Sequence, residues 1–159
     1  MRVLAIDPGP TESAYVLLND DGVPFRWEKV PNEALLQTLA AVPTSRLGAD
    51  LLAVEMVASY GMPVGADVFQ TVLWIGRFIE RWGGDYKLVY RKDVLLHLCN
   101  QRNAKDSNLR RALLDRYGPT KEVAVGRKAS PGPLYGLTGD CWSALAVGVT
   151  VIDNDAPAA

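Results

Sequence analysis

Three apolar stretches of this chain each meet an acid at one end, and this constrains the fold more than any other feature of the sequence. Val3–Ile6 stops on Asp7, Leu51–Val54 stops on Glu55, and Asp140 opens a stretch that stays apolar nearly to Ile152. Short apolar runs closed by breakers such as Asp7-Pro8-Gly9-Pro10 read as buried strands. The last stretch is too uniformly apolar for periodicity to separate helix from strand, and its Ala and Leu content favours a buried helix.

Between these landmarks the pattern is that of an α/β chain. Ser13–Leu18 is a second strand, and Asn19-Asp20-Asp21-Gly22 is a hairpin turn into a third strand over Phe25–Val30. Strands joined so tightly must be antiparallel. Asn32 is placed to cap a helix through Ala41 that Pro43 stops. After Glu55 come a loop over Ser59–Gly65, a helix over Ala66–Trp82 and a strand over Lys87–Tyr90. Helices follow at Lys92–Leu98 and Lys105–Tyr117. Residues 118–137, rich in Gly, Pro, Lys and Arg, read as an exposed loop, and Asp153–Ala159 reads as a frayed tail. The sum is one domain with a mixed sheet flanked by helices.

The net charge of −1 does not advertise a nucleic-acid binder, but its distribution does. Lys87 to Lys128 holds eleven basic residues against four acids, a net +7 that leaves about −8 elsewhere. Such segregation suits a face laid on a phosphate backbone, and it also suits basic residues coating solvated helices. No apolar run reaches the roughly 18–20 residues of a membrane span. The N-terminal stretch turns acidic too soon for a signal peptide, so the reading is cytoplasmic, with Cys99 and Cys141 as free thiols. There is no serine elbow, Walker loop or dinucleotide fingerprint.

Carboxylates at the edge of a core are costly unless neutralised, and a divalent metal ion neutralises them. If the first and fourth strands are parallel neighbours, Asp7 and Glu55 project from one sheet edge, and a final helix brings Asp140 to them. Convergent carboxylates can hold two Mg²⁺ ions for phosphodiester hydrolysis. Each acid alone has a structural alternative: Asp7 as a turn residue, Glu55 paired with an arginine, Asp140 as a helix cap.

Ala5-Ile6-Asp7-Pro8-Gly9 resembles the first-strand motif of the RuvC family of Holliday junction resolvases. Val54-Glu55-Met56-Val57 resembles its second motif, and Gly139-Asp140-Cys141-Trp142-Ser143-Ala144-Leu145-Ala146 its last. Order and spacing match over almost the whole chain. The length, and Gly-Pro-Leu-Tyr-Gly at 132–136, look more like the small resolvases of phages. The resemblance implies a ribonuclease H-like fold over residues 1–153: a five-stranded mixed sheet, three antiparallel strands and then parallel ones, with 154–159 as a tail. It also implies a Mg²⁺- or Mn²⁺-dependent endonuclease with two ions on Asp7, Glu55 and Asp140, acting on branched DNA as a homodimer; a related nuclease of the same fold acting on flaps or RNA is the alternative. Lys105, in a segment that resembles the family's lysine-bearing stretch, would steady the scissile phosphate. Lys105, Arg110, Arg111, Arg127 and Lys128 would contact DNA, and Tyr60 would stack on a base. The dimer would form through the helix after Glu55.

One departure stands out. Where the family places a second acid one turn into the last helix, this chain has Ser143. Glu12 is the candidate substitute, with a solvated turn residue as its alternative. Three carboxylates plus water, or a junction-binding module with a decayed site, are the other ways to read Ser143. Phe69, Leu73, Trp74 and Phe78 have the spacing of core or interface residues, and His97 reads as a packed residue, not a base.

Overall fold

The computed structural model describes residues 1–41 and 48–155; Pro43 and residues 156–159 lie outside that range. Five strands form one sheet in the order β3-β2-β1-β4-β5. They are β1 (Val3–Asp7), β2 (Glu12–Leu18), β3 (Pro24–Pro31), β4 (Leu51–Met56) and β5 (Tyr86–Tyr90). The first three pair antiparallel, while β4 runs parallel to both β1 and β5, as the resemblance implies.

The three central strands are apolar almost throughout because both of their faces are covered. Alternate residues separate the layers. Leu4, Ile6, Tyr15, Leu17, Leu52 and Val54 pack under α1 (Asn32–Ala41) and α2 (Ala66–Trp82). Val3, Ala5, Val16, Leu18 and Ala53 pack under the last helix, α6 (Cys141–Asp155). Around α6 lie α3 (Arg91–Cys99) and α4 (Asp106–Tyr117). No described helix is long and apolar enough to cross a membrane.

A run of ten residues in α6, Cys141 to Val151 with Ser143 apart, is buried, which explains why no amphipathic period shows in its sequence. Gly148 sets how near α6 comes to the sheet. A Cβ there would meet Leu18 Cδ1 at 2.4 Å and Ala5 Cβ at 3.0 Å.

Four expectations need correction. Residues 118–137 are not simply a loop: they hold α5 (Lys121–Ala124) and a small ladder of β6 (Gly126–Arg127) with β7 (Ser130–Pro131). Ala124, Leu134 and Leu137 are buried, and Gly132 lets the backbone pass where a Cβ would meet Val123 O at 2.3 Å. The tail does not begin at 153, because α6 runs to Asp155. Asp153 accepts from Arg116 at 2.7 and 2.9 Å and contacts His97 Nε2 at 2.8 Å, and Asp155 pairs with Lys87. His97 is therefore tied to a carboxylate at the surface instead of packed in the core. Finally, Asn32 does not spend its side chain capping α1: it accepts from Ser13 Oγ at 2.6 Å and donates to Gly9 O at 2.9 Å.

Candidate active site

Strand register puts the first two acids together. The β1–β4 ladder ends at Ile6↔Val54, so Asp7 and Glu55 stand one step further on, side by side. Both continue the alternation of Val3, Ala5, Leu51 and Ala53, which faces α6. Asp140 immediately precedes α6, its carbonyl accepting from Ala144 N at 3.1 Å. The helix thus carries the third acid to the sheet edge that bears the other two.

The turn after Asp7 is fixed by a buried polar network. Gly9 N donates to Ser13 Oγ at 3.2 Å, Ser13 bonds Asn32, and Asn32 returns to Gly9 O. Ser13 and Asn32 are each only 1% exposed. Position 9 requires glycine, since a Cβ would meet Glu12 O at 2.4 Å.

Burial raises the Asp7 carboxyl to about 7, helped by the negative charges of Glu55 and Asp140 and opposed by Arg91 and Lys29. Burial also raises Glu55, with Arg91 opposing the shift and Asp106 adding to it. Glu55 Oε2 is buried and has no hydrogen-bond partner among the described residues. This is the signature of carboxylates whose charge is unmet, and it fits a divalent cation. In the arrangement described, though, no three His, Cys, Asp or Glu side chains among the described residues are gathered closely enough to hold one. Asp140 is turned to Lys29, with Nζ 2.7 Å from Oδ2, and a cation that engaged all three acids would displace that lysine.

Lys29 and Arg91 flank the acids, and sequence reading singled out neither. Across the sheet edge Lys29 pairs with Ala14 and Ala14 with Asp7, while Glu55 pairs with Val89, two residues before Arg91. The signal for Lys29 is the alternation in β3, where Trp27 and Lys29 share a face; that for Arg91 is its place just past the end of β5, the strand that pairs with β4.

The remaining candidates are dispersed. Tyr60 is exposed with φ of 51°, and Lys92 Nζ lies 3.8 Å from its ring centroid, folding the loop back on α3. Arg110 stacks over Trp142 at 4.5 Å and lines a cleft of about 410 Å³ beside Asp140. Arg111, the next residue on α4, points elsewhere and bonds Asp115 at 3.0 Å. Lys105 is exposed at the start of α4, its N–H donating to Asn108 Oδ1 at 3.0 Å. Arg127 and Lys128 are exposed on the β6–β7 hairpin. Glu12 is exposed at the start of β2, and its charge acts on Lys29. Of the apolar set on α2, Phe78 is in the core, whereas Phe69 and Leu73 are exposed at 66% and 57%.

No protein-family model matches this sequence, and no curated protein matches it. Solved structures do. RuvC of Thermus thermophilus superposes with a TM-score of 0.66 at 17% identity, over 94% of this chain and 92% of that one. The same protein in complex with a Holliday junction substrate matches with a TM-score of 0.66 at 16% identity, over the same shares. The fowlpox virus Holliday junction resolvase matches with a TM-score of 0.54 at 15% identity, over 97% of this chain and 99% of that one. The chain therefore has the ribonuclease H-like fold of the RuvC-type resolvases.

Proposed function

We propose that this protein is a divalent-metal-dependent endonuclease that cuts four-way or otherwise branched DNA. The observation that carries the reading is the adjacent pair Asp7 and Glu55, partly buried at the sheet edge, with Glu55 Oε2 unpartnered among the described residues. Asp7, Glu55 and Asp140 would hold Mg²⁺ or Mn²⁺, two ions in the reading from sequence. A bound divalent ion supplies an activated water and charge stabilisation at the leaving oxygen.

The chain's own groups prepare the rest. Asp7 and Glu55 stay fixed because β1 and β4 are locked in the core. Burial keeps their charge unscreened, so a cation arriving there is held strongly. Lys29 would have to release Asp140 for that acid to hold an ion, and the exposed Lys105, Arg110, Arg127 and Lys128 would receive the DNA backbone. A four-way junction has two-fold symmetry, so paired cuts require two copies of the chain. The exposed Phe69, Val72 and Leu73 of α2 offer a face for the second copy.

A junction-binding module that does not cut is the second reading. It is favoured by the Lys29–Asp140 ion pair and by Ser143, which leaves the first turn of α6 without an acid. Cleavage of a labelled four-way junction in Mg²⁺ and in Mn²⁺ separates the two, run beside Asp7→Asn with gel shifts in EDTA. Symmetric nicks that vanish in Asp7→Asn while binding survives support the nuclease. Tight binding without cutting by the wild type in either metal overturns it.

A further inference from the structure

Arg91 is the least settled charge at this site. Its guanidinium is 27% exposed and reaches three partners without being enclosed by any. Nη1 lies 3.9 Å from Glu55 Oε2, beyond hydrogen-bond range, and that oxygen stays unpartnered. Nη1 also donates to Ser143 Oγ at 3.4 Å, a long contact to a neutral group. Nη2 bonds Asp106, whose carboxylate is 91% exposed. An ion pair with so solvated a partner contributes little, so another oxyanion can replace Asp106 readily.

The surroundings favour one kind of replacement. Arg91, Asp106, Arg110, Asp140, Trp142 and Ser143 line the cleft of about 410 Å³ that opens beside the paired acids. Among the described residues Arg110 has no ion-pair partner, and Asp140 is matched by Lys29. A carboxylate at position 143 would pin the Arg91 guanidinium, whereas the serine hydroxyl leaves its charge available. A planar fork of donors whose near partner is a solvated carboxylate, with a second guanidinium on the same cleft, matches the non-bridging oxygens of a phosphodiester.

We propose that Arg91 is the phosphate-contacting catalytic residue of this site. It exchanges Asp106 for the non-bridging oxygens of the DNA phosphate presented to Asp7 and Glu55, and Arg110 holds the backbone beside it. The assignment of that phosphate as the scissile one rests on the nuclease reading; the contact itself does not. As water attacks, charge grows on the non-bridging oxygens, and a guanidinium already in place stabilises it without reorganisation.

The test has a binding arm and a cutting arm, both on the full chain, with thermal melts to establish folding. In EDTA, junction affinity is measured against salt for the wild type, Arg91→Gln, Arg91→Lys and Asp106→Asn. Arg91→Gln is expected to lower the slope of log affinity on log salt by about one, as loss of one phosphate contact does. Asp106→Asn is expected to tighten binding severalfold, because the internal competitor is gone. In Mn²⁺, single-turnover cutting by Arg91→Gln is expected to fall roughly 100-fold, with partial recovery in Arg91→Lys. Titration of Mn²⁺ onto Arg91→Gln is expected to be no weaker than onto the wild type, since a positive charge beside Glu55 has been removed.

A wild-type slope together with a cutting rate within twofold of wild type in Arg91→Gln overturns the proposal while leaving the nuclease reading intact. Weaker binding by Asp106→Asn overturns it too, and that arm decides if Arg91→Gln does not fold. If the wild type cuts nothing but Arg91→Gln still loses slope, the nuclease reading fails and the phosphate contact stands.

Discussion

Lys29 and Asp140, 111 residues apart in sequence, meet as an ion pair with Nζ 2.7 Å from Oδ2. The pair joins β3 to the start of α6, and it holds the third acid of the site on an internal cation. Both side chains are about half exposed, so the pair contributes little to stability, about 0–1 kcal/mol. Its consequence is competition. Lys29→Met is expected to tighten Mn²⁺ binding about two- to fivefold with nearly unchanged thermal stability. Calorimetric titration checks this, and unchanged or weaker binding would show that Lys29 does not compete for Asp140.

Asp7 gives the protein a pH dependence with a definite sign. Its folded-state carboxyl is raised from 3.8 to about 7, mainly by burial, so the folded state binds that proton more tightly than the unfolded chain. The penalty for ionising it grows as pH rises from about 4 to 7 and is fully present above 7; it disappears below the unfolded value. In EDTA at pH 8, Asp7→Asn is therefore expected to be more stable than the wild type by on the order of 2–4 kcal/mol. The gap should close near pH 4, and saturating Mn²⁺ should reverse the order. Melts at the two pH values decide it; a less stable Asp7→Asn at pH 8 refutes the account.

Asp153 works in the opposite direction. Burial pushes its carboxyl up, but the hydrogen bonds from Arg116 and His97 outweigh that and hold it below the usual range. Its contribution is present above the unfolded carboxyl value and is lost as pH falls through the lower, folded one. Asp153→Asn should cost about 1 kcal/mol at neutral pH by loosening α6 from α3 and α4, and nothing at pH 2. Urea unfolding at both pH values tests this. An equal loss at pH 2 would mean that packing, not charge, holds the end of α6.

The places of Asp7, Glu55 and Asp140 at element ends were legible because each ends or begins an apolar run, and apolar runs are what a buried sheet and a buried helix require. The antiparallel β2–β3 pairing followed from the tight hairpin, whereas the parallel β1–β4 pairing stood only as a condition, which the strand order meets. Lys29 and Arg91 were not legible, because their place beside the acids depends on register across four strands, which a single run of sequence does not encode. Residues 118–137 misled for a different reason. Their glycines read as loop punctuation, but Gly132 is there to let two backbones touch. Asp153 misled because its partners lie 37 and 56 residues away.

Gly9 offers a way to move Asp7 without changing its charge. A Cβ at position 9 would sit 2.4 Å from the Glu12 carbonyl oxygen, and a backbone atom cannot swing aside as a side chain can. The turn must shift, and it is tied through Ser13 and Asn32 to the strand end that bears Asp7. Gly9→Ala is therefore expected to cost roughly 1–3 kcal/mol in urea unfolding and to weaken Mn²⁺ binding more than its stability loss alone explains. Gly65→Ala is the control, because a Cβ there meets nothing within 4 Å and the residue lies before α2, away from the acids. It should stay within about 0.5 kcal/mol of wild type and bind Mn²⁺ normally. Wild-type metal affinity in a folded Gly9→Ala would mean that the turn does not set the position of Asp7, and that the β1–β4 ladder alone holds the acid in place.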